Sequence, residues 1–208
     1  MAIRINGTDK PSTINQPTAT PMGTYHLAAN TNLYEIQRTN NFEFIVTDID
    51  GITRAGMLGG EANGTIANAQ EIIRLSVTSS SIPHFSQNAI EVKRGNSTMK
   101  FAGVPTFKAG QVKVNDYIGA STKEVLMAWQ NLSYNVITEK VGLASDYKKD
   151  CYLVEYTPDY QKVRQWKMHG CWVSELSEDD FNNEQNDKKQ ITCTIEYDRA
   201  ELDMSEVV

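Results

Sequence analysis

Three cysteines (Cys151, Cys171, Cys193), three histidines (His26, His84, His169) and a glycine run from Gly56 to Gly64 are the residues of this chain whose types bear chemistry. None stands at a working spacing. The glycines at 56, 59, 60 and 64 are not followed by the Lys-Ser/Thr that cradles a phosphate, and no dinucleotide fingerprint follows a strand. Asp48 and Asp50 open like a calcium loop, but its sixth position is Thr53 instead of Gly and its twelfth Gly59 instead of Glu. The histidines lack the close spacing of a zinc site, and neither a nucleophile elbow nor a supported Cys–His pair is present. No cofactor, metal or catalytic residue is therefore expected, and the chain does not read as an enzyme. Trp129, Trp166 and Trp172 lie on alternating or helical stripes and read as core or interface residues more than as ligand-stacking rings. Three widely spaced cysteines imply no disulfide framework and read as small apolar strand residues.

The elements around these residues are mostly strands. Phe42, Phe44 and Val46 alternate, and Asp50-Gly51 then opens the long glycine-rich loop to about Thr65. Ile73, Leu75 and Val77 predict a strand over Glu71–Ile82, ended by Pro83. Ala89–Arg94 and Ser97–Val104 predict a hairpin about Gly95-Asn96, and Gln111–Asn115 continues the alternation. One helix is predicted near 121–136. Ser121 and Glu124 have capping-box spacing, and Val125, Trp129, Leu132 and Val136 form its apolar stripe. Trp129, Leu132 and Trp166 are the expected core. Cys151–Tyr156, Lys162–Val173 and Gln190–Tyr197 return to strands, the last two separated by an acidic loop. The class is a mostly β sandwich or barrel of two sheets with one helix.

Composition bounds the partners. The chain has 208 residues, 40% hydrophobic, with 20 Lys+Arg against 26 Asp+Glu and a formal charge of −6. That argues against a protein whose main task is to grip phosphates with clustered cations. It does not exclude one that lets nucleic acid pass. No window approaches the ~18 apolar residues of a membrane span, and Met1–Asn6 lacks the pattern of a signal peptide. A soluble, cytoplasmically made protein without membrane contact is expected, so the four Asn-x-Ser/Thr triplets are not read as glycosylation sites. Residues 1–31 are poor in charge and rich in Thr, Asn and Pro, and read as an extended polar arm before a single β domain at 32–208.

Over residues 34–200 the order of pieces resembles the tail tube proteins of contractile phages. The pieces are Asn40-Asn41-Phe42-Glu43-Phe44 with the glycine-rich loop behind it, Ser79-Ser80-Ser81-Ile82-Pro83, Ile90-Glu91-Val92 with Met99-Lys100-Phe101-Ala102-Gly103, the Trp129 helix, Val163–Val173 around Trp166, and Ile191–Arg199. The type VI secretion tube protein is similar in fold. The resemblance implies a two-sheet subunit that joins five others in a hexameric ring with a continuous inner β-barrel, rings stacking into a hollow tube. It implies a virion tail location and, as partners, copies of itself, tail sheath, baseplate and tail-terminator proteins, with DNA passing the lumen during ejection without tight binding. The long loop is expected to reach a neighbouring subunit or ring through Asp50, Arg54 and Glu61. The alternatives are a tube subunit of a phage-like or type VI injection machine and, from another class, a monomeric β-sandwich ligand-binding module.

Overall fold

A computed structural model describes residues 36–54, 64–119, 121–184 and 186–203. The chain divides into Met1–Thr39 and Asn40–Val208. Only residues 36–39 of the first unit are described, so the arm at 1–31 lies outside the described residues. Everything below concerns the second unit.

Its strands are β1 (Phe42–Val46), β2 (Ile52–Thr53), β3 (Thr65–Ile66), β4 (Val77–Ser80), β5 (Phe85–Arg94), β6 (Ser97–Phe107), β7 (Gly110–Asn115), β8 (Tyr134–Asn135), β9 (Lys140–Val141), β10 (Lys149–Tyr156), β11 (Lys162–Glu178), β12 (Gln190–Glu196) and β13 (Arg199–Asp203). The helices are α1 (Ala69–Ser76), α2 (Thr122–Ser133) and α3 (Ala144–Tyr147). Seven strands form one antiparallel sheet in the order β1-β10-β11-β12-β7-β4, with β13 beside β11. The 17-residue β11 serves two halves. Its first half pairs with β10 and β13, and its second half pairs with β12. Between the halves Gly170 takes φ 66°, and a Cβ there would strike the Asp198 carboxylate. The strand thus passes between its two halves at a backbone conformation that favours glycine.

The two halves share one core. Phe44, Val46, Leu153 and Met168 come from one half, and Val112, Val114, Ile191, Cys193 and Ile195 from the other. Along β1, β7 and β12 period-two alternation decides this, because each of these residues is flanked by more exposed ones. Trp129 is 1% exposed, and its indole Nε1 donates to the Tyr147 carbonyl at 2.9 Å. Leu132 and Trp166 are partly buried against the same core.

Three local expectations are corrected. Residues 69–76 are helix, not strand: Ala69, Ile72, Ile73 and Ser76 are buried at helical spacing while Leu75 is 64% exposed. The run Ala69–Leu75 is rich in helix formers, and Ile72-Ile73 satisfies both periods, so the choice falls to packing. Helix α2 starts without its capping box. Ser121 sits in the left-handed region (φ 53°) with no side-chain cap bond, and Glu124 turns to Arg54 instead. A capping side chain needs extended backbone at that position. The helix also ends at Ser133, which leaves Val136 exposed.

Candidate assembly interface

The hairpin β5–β6 stands apart from the main sheet as a two-stranded ribbon of ten and eleven residues. Its tip is the Gly95-Asn96 turn, with Gly95 at φ 60° as such turns require. Its root is tied to the core. Phe85 and Phe107 lie 5.6 Å apart between ring centroids, Phe107 lies 6.0 Å from Tyr197, and the His84 amide donates to the Tyr197 hydroxyl at 3.3 Å. Near Gln87–Ala89 the pairing shifts register, and Gly103 admits the Asn88 carbonyl where a Cβ would collide.

Beyond that bulge the ribbon is amphipathic. Ile90 pairs with Phe101 and Val92 with Met99 on one face, while Glu91 pairs with Lys100 and Lys93 with Thr98 on the other. Glu91 and Lys100 form an ion pair at 3.0 Å. The apolar face is uncovered: Ile90, Phe101, Met99 and Val92 are 55%, 52%, 44% and 42% exposed. An isolated ribbon is marginal in water, and covering these four side chains would contribute roughly 1 kcal/mol each. An apolar face of this kind marks an interaction surface. Among the described residues the outer edges of β5 and β6 have no strand partner, nor does β4 on one side, nor Trp172–Glu178 on the side away from β12. These edges offer backbone groups to another chain.

Within the subunit, two of the residues expected to make loop contacts have partners of their own. The Asp50 carboxylate accepts from the Gln70 amide at 2.8 Å, satisfying an orphan donor in the first turn of α1. Arg54 Nε donates to Glu124 at 2.7 Å. Both hold the loop base to the subunit's own helices; Glu61 lies outside the described residues. In the sequence Ile90/Val92 and Met99/Phe101 show their alternation but not that they form an open surface. Alternation shows that a strand has two faces, not that one is left uncovered.

Burial pushes the Cys193 thiol up to about 12 and holds Cys151 well above its ordinary value, with Cys171 adding to the latter, so neither is a thiolate at neutral pH. Next to Gly170, His169 Nε2 lies 3.2 Å from Glu201, whose carboxyl is held below the usual range first by His169 and then by Arg199. No group of three or more potential ligands could hold a metal among the described residues, nor does any described helix have the length and apolarity to cross a membrane.

Comparison places this geometry among known proteins. The family model described as T4-like virus tail tube protein gp19 matches residues 40–201. The fold is similar to a chain of the PVC extracellular contractile injection system sheath–tube complex in the extended state, at 15% identity and TM-score 0.58, covering 89% of this chain and 99% of that one. It is similar also to a chain of the sheath/tube terminator of such a system (18%, TM-score 0.56, 85% and 99% covered). A third likeness is to the tube-terminating cap of the anti-feeding prophage (15%, TM-score 0.56, 81% and 91% covered). At these identities the likeness is one of fold. No curated protein matches in sequence.

Proposed function

The chain belongs to the T4-like virus tail tube protein family, and from that premise we propose that it is a structural, non-catalytic tube subunit whose copies close into hexameric rings through the β5–β6 ribbon. The uncovered apolar face of Ile90, Val92, Met99 and Phe101 carries this reading, because a second copy is what would bury it. The ribbon of one copy meets the open sheet edge of the next, which is a head-to-tail contact. Such contacts close when the rotation closes and otherwise propagate. Closure into a barrel also removes the exposed edges.

Stacked rings make a hollow tube in the virion tail, assembled in the host cytoplasm, and its lumen conducts viral DNA during ejection. Tail sheath, baseplate and tail-terminator proteins are its partners. The likeness in fold to chains from a sheath–tube complex and a terminator supports that set. The same likeness supports a second reading, a tube subunit of an extracellular injection machine with another cargo. The loop around Asp50, Arg54 and Glu61 reaches the adjoining subunit or ring from a base fixed on α1 and α2, and the arm at 1–31 ties neighbours together.

Negative-stain imaging of the purified chain tests the reading. Rings or tubes with a central channel are expected; dispersed small particles at high protein concentration would reject it in favour of a monomeric β-sandwich.

A further inference from the structure

The half-sheet of β4, β7, β12 and the second half of β11 has one face in the core and one face that the described residues leave uncovered. Its register sets the uncovered face: Ser79, Lys113, Thr192 and Ser177 form one row, and Gln111, Thr194 and Glu175 the next. These rows alternate with buried Val112, Val114, Ile191 and Cys193. Hydroxyls and amides dominate them, and Lys113 is the one cation. The other half-sheet presents a different face. There Gln165, Lys167 and His169 pair with Asp203, Glu201 and Arg199, so that five of six side chains are ionisable.

The ribbon grows from the first of these walls. β5 follows β4 after Ser81–His84, and β6 enters β7 through Lys108 and Ala109. On its far side the wall ends at the open edge of Trp172–Glu178. A sheet continued from copy to copy through the ribbon is therefore a continuation of this wall. Two packed layers lie about 10 Å apart. Around a ring of six, the outer layer must then span about 10 Å more per subunit than the inner. Edges meet in the inner layer and splay in the outer one, so the layer that is continuous between copies is the inner layer.

Resting on the tube reading, we propose that the uncovered face of the β4–β7–β12–β11 wall, with Gln111, Lys113, Thr192 and Thr194 at its centre, lines the channel, and that the charged face around Lys167, His169 and Glu201 looks outward. The lining suits the passage of a linear polyanion. Its polar groups are partly engaged already, with Gln190 Nε2 donating to Thr78 Oγ1 at 3.0 Å and Ser174 Oγ to the Thr194 carbonyl at 3.1 Å. One lysine per copy, set against Glu175 on the same face, gives phosphates no clustered cations to hold them.

Cysteine accessibility in assembled tubes tests the assignment, since Cys151, Cys171 and Cys193 are buried and silent in the folded chain. Tubes of Gln111→Cys, with Ser79→Cys as a second variant, are treated with N-ethylmaleimide and with a maleimide carried on a bulky polymer. Arg199→Cys marks the outside. The expected result is that Gln111→Cys and Ser79→Cys react with the small reagent in tubes but lose reaction with the bulky one, regaining it on dissociation, while Arg199→Cys reacts with both. Labelling of Gln111→Cys along intact tubes by the bulky reagent overturns the assignment. So does resistance to both reagents, which would place the residue in a contact. If the unsubstituted chain forms no tubes in images taken beforehand, the tube reading itself fails and the lining with it.

Discussion

Ile90 and Phe101 face each other across the β5–β6 ribbon, and more than half of each side chain is open to solvent within the subunit. A pair that packs only on itself gains little from folding and much from a second copy. Phe101→Asp is therefore expected to leave far-UV circular dichroism and melting nearly unchanged, within about 0.5 kcal/mol as for other exposed sites, while abolishing rings and tubes. Light scattering and imaging read the second effect. Glu91→Ala, on the polar face, should polymerise normally. Tubes from Phe101→Asp would remove the ribbon from the interface.

Trp129→Ala is expected to cost about 3–5 kcal/mol in denaturant unfolding. The substitution empties the space between α2 and the sheet, and it removes the donor to the Tyr147 carbonyl. A loss below ~1 kcal/mol would show that the site collapses around the smaller side chain.

Asp50→Ala is expected to destabilise the subunit by about 0.5–2 kcal/mol, the usual range for a lost helix cap. Asp50→Asn keeps an acceptor for the Gln70 amide and should cost less. If tube formation falls for both variants beyond what stability explains, the residue also serves the neighbouring copy.

Glu178 is held below the ordinary carboxylate range first by its hydrogen bond to Lys123, then by that to Lys189. A carboxyl whose folded pKa is lowered contributes stability above its unfolded pKa, about 4.3 for Glu, and loses it as pH falls through the folded value. Glu178→Gln should therefore melt earlier than the parent at neutral pH, by under about 1 kcal/mol for a pair that touches solvent. The two melting curves should converge in acid. A difference that persists below the folded pKa would assign the effect to packing.

Removal of residues 1–31 should leave a folded subunit with nearly unchanged far-UV circular dichroism but shorten or abolish tubes. Fully extended, that stretch reaches at most about 100 Å, well past its own subunit. If the truncated chain polymerises as well as the full one, the arm is passive.

The strands were readable from sequence wherever one face is buried by the chain's own core. Phe44 and Val46, Val112 and Val114, and Ile191, Cys193 and Ile195 alternate because the pleat puts every second residue inside. The hairpin turn at Gly95-Asn96 and the helix around Trp129 are equally local, one set by positive φ and the other by an apolar stripe at helical spacing.

Tertiary structure alone decided the remainder. Ile72-Ile73 fits a strand or a helix, and contact with β1, β7 and α2 selects the helix. Ser121 and Glu124 have the spacing of a cap, yet Arg54, seventy residues away, takes the carboxylate. Gly170 takes its positive φ where β11 passes from one half-sheet to the other, with Asp198 of a distant segment beside it. Whether an apolar strand face is core or contact depends on what lies opposite. For Ile90, Val92, Met99 and Phe101 nothing among the described residues does, a fact about the arrangement of the whole chain that alternation along one strand does not contain.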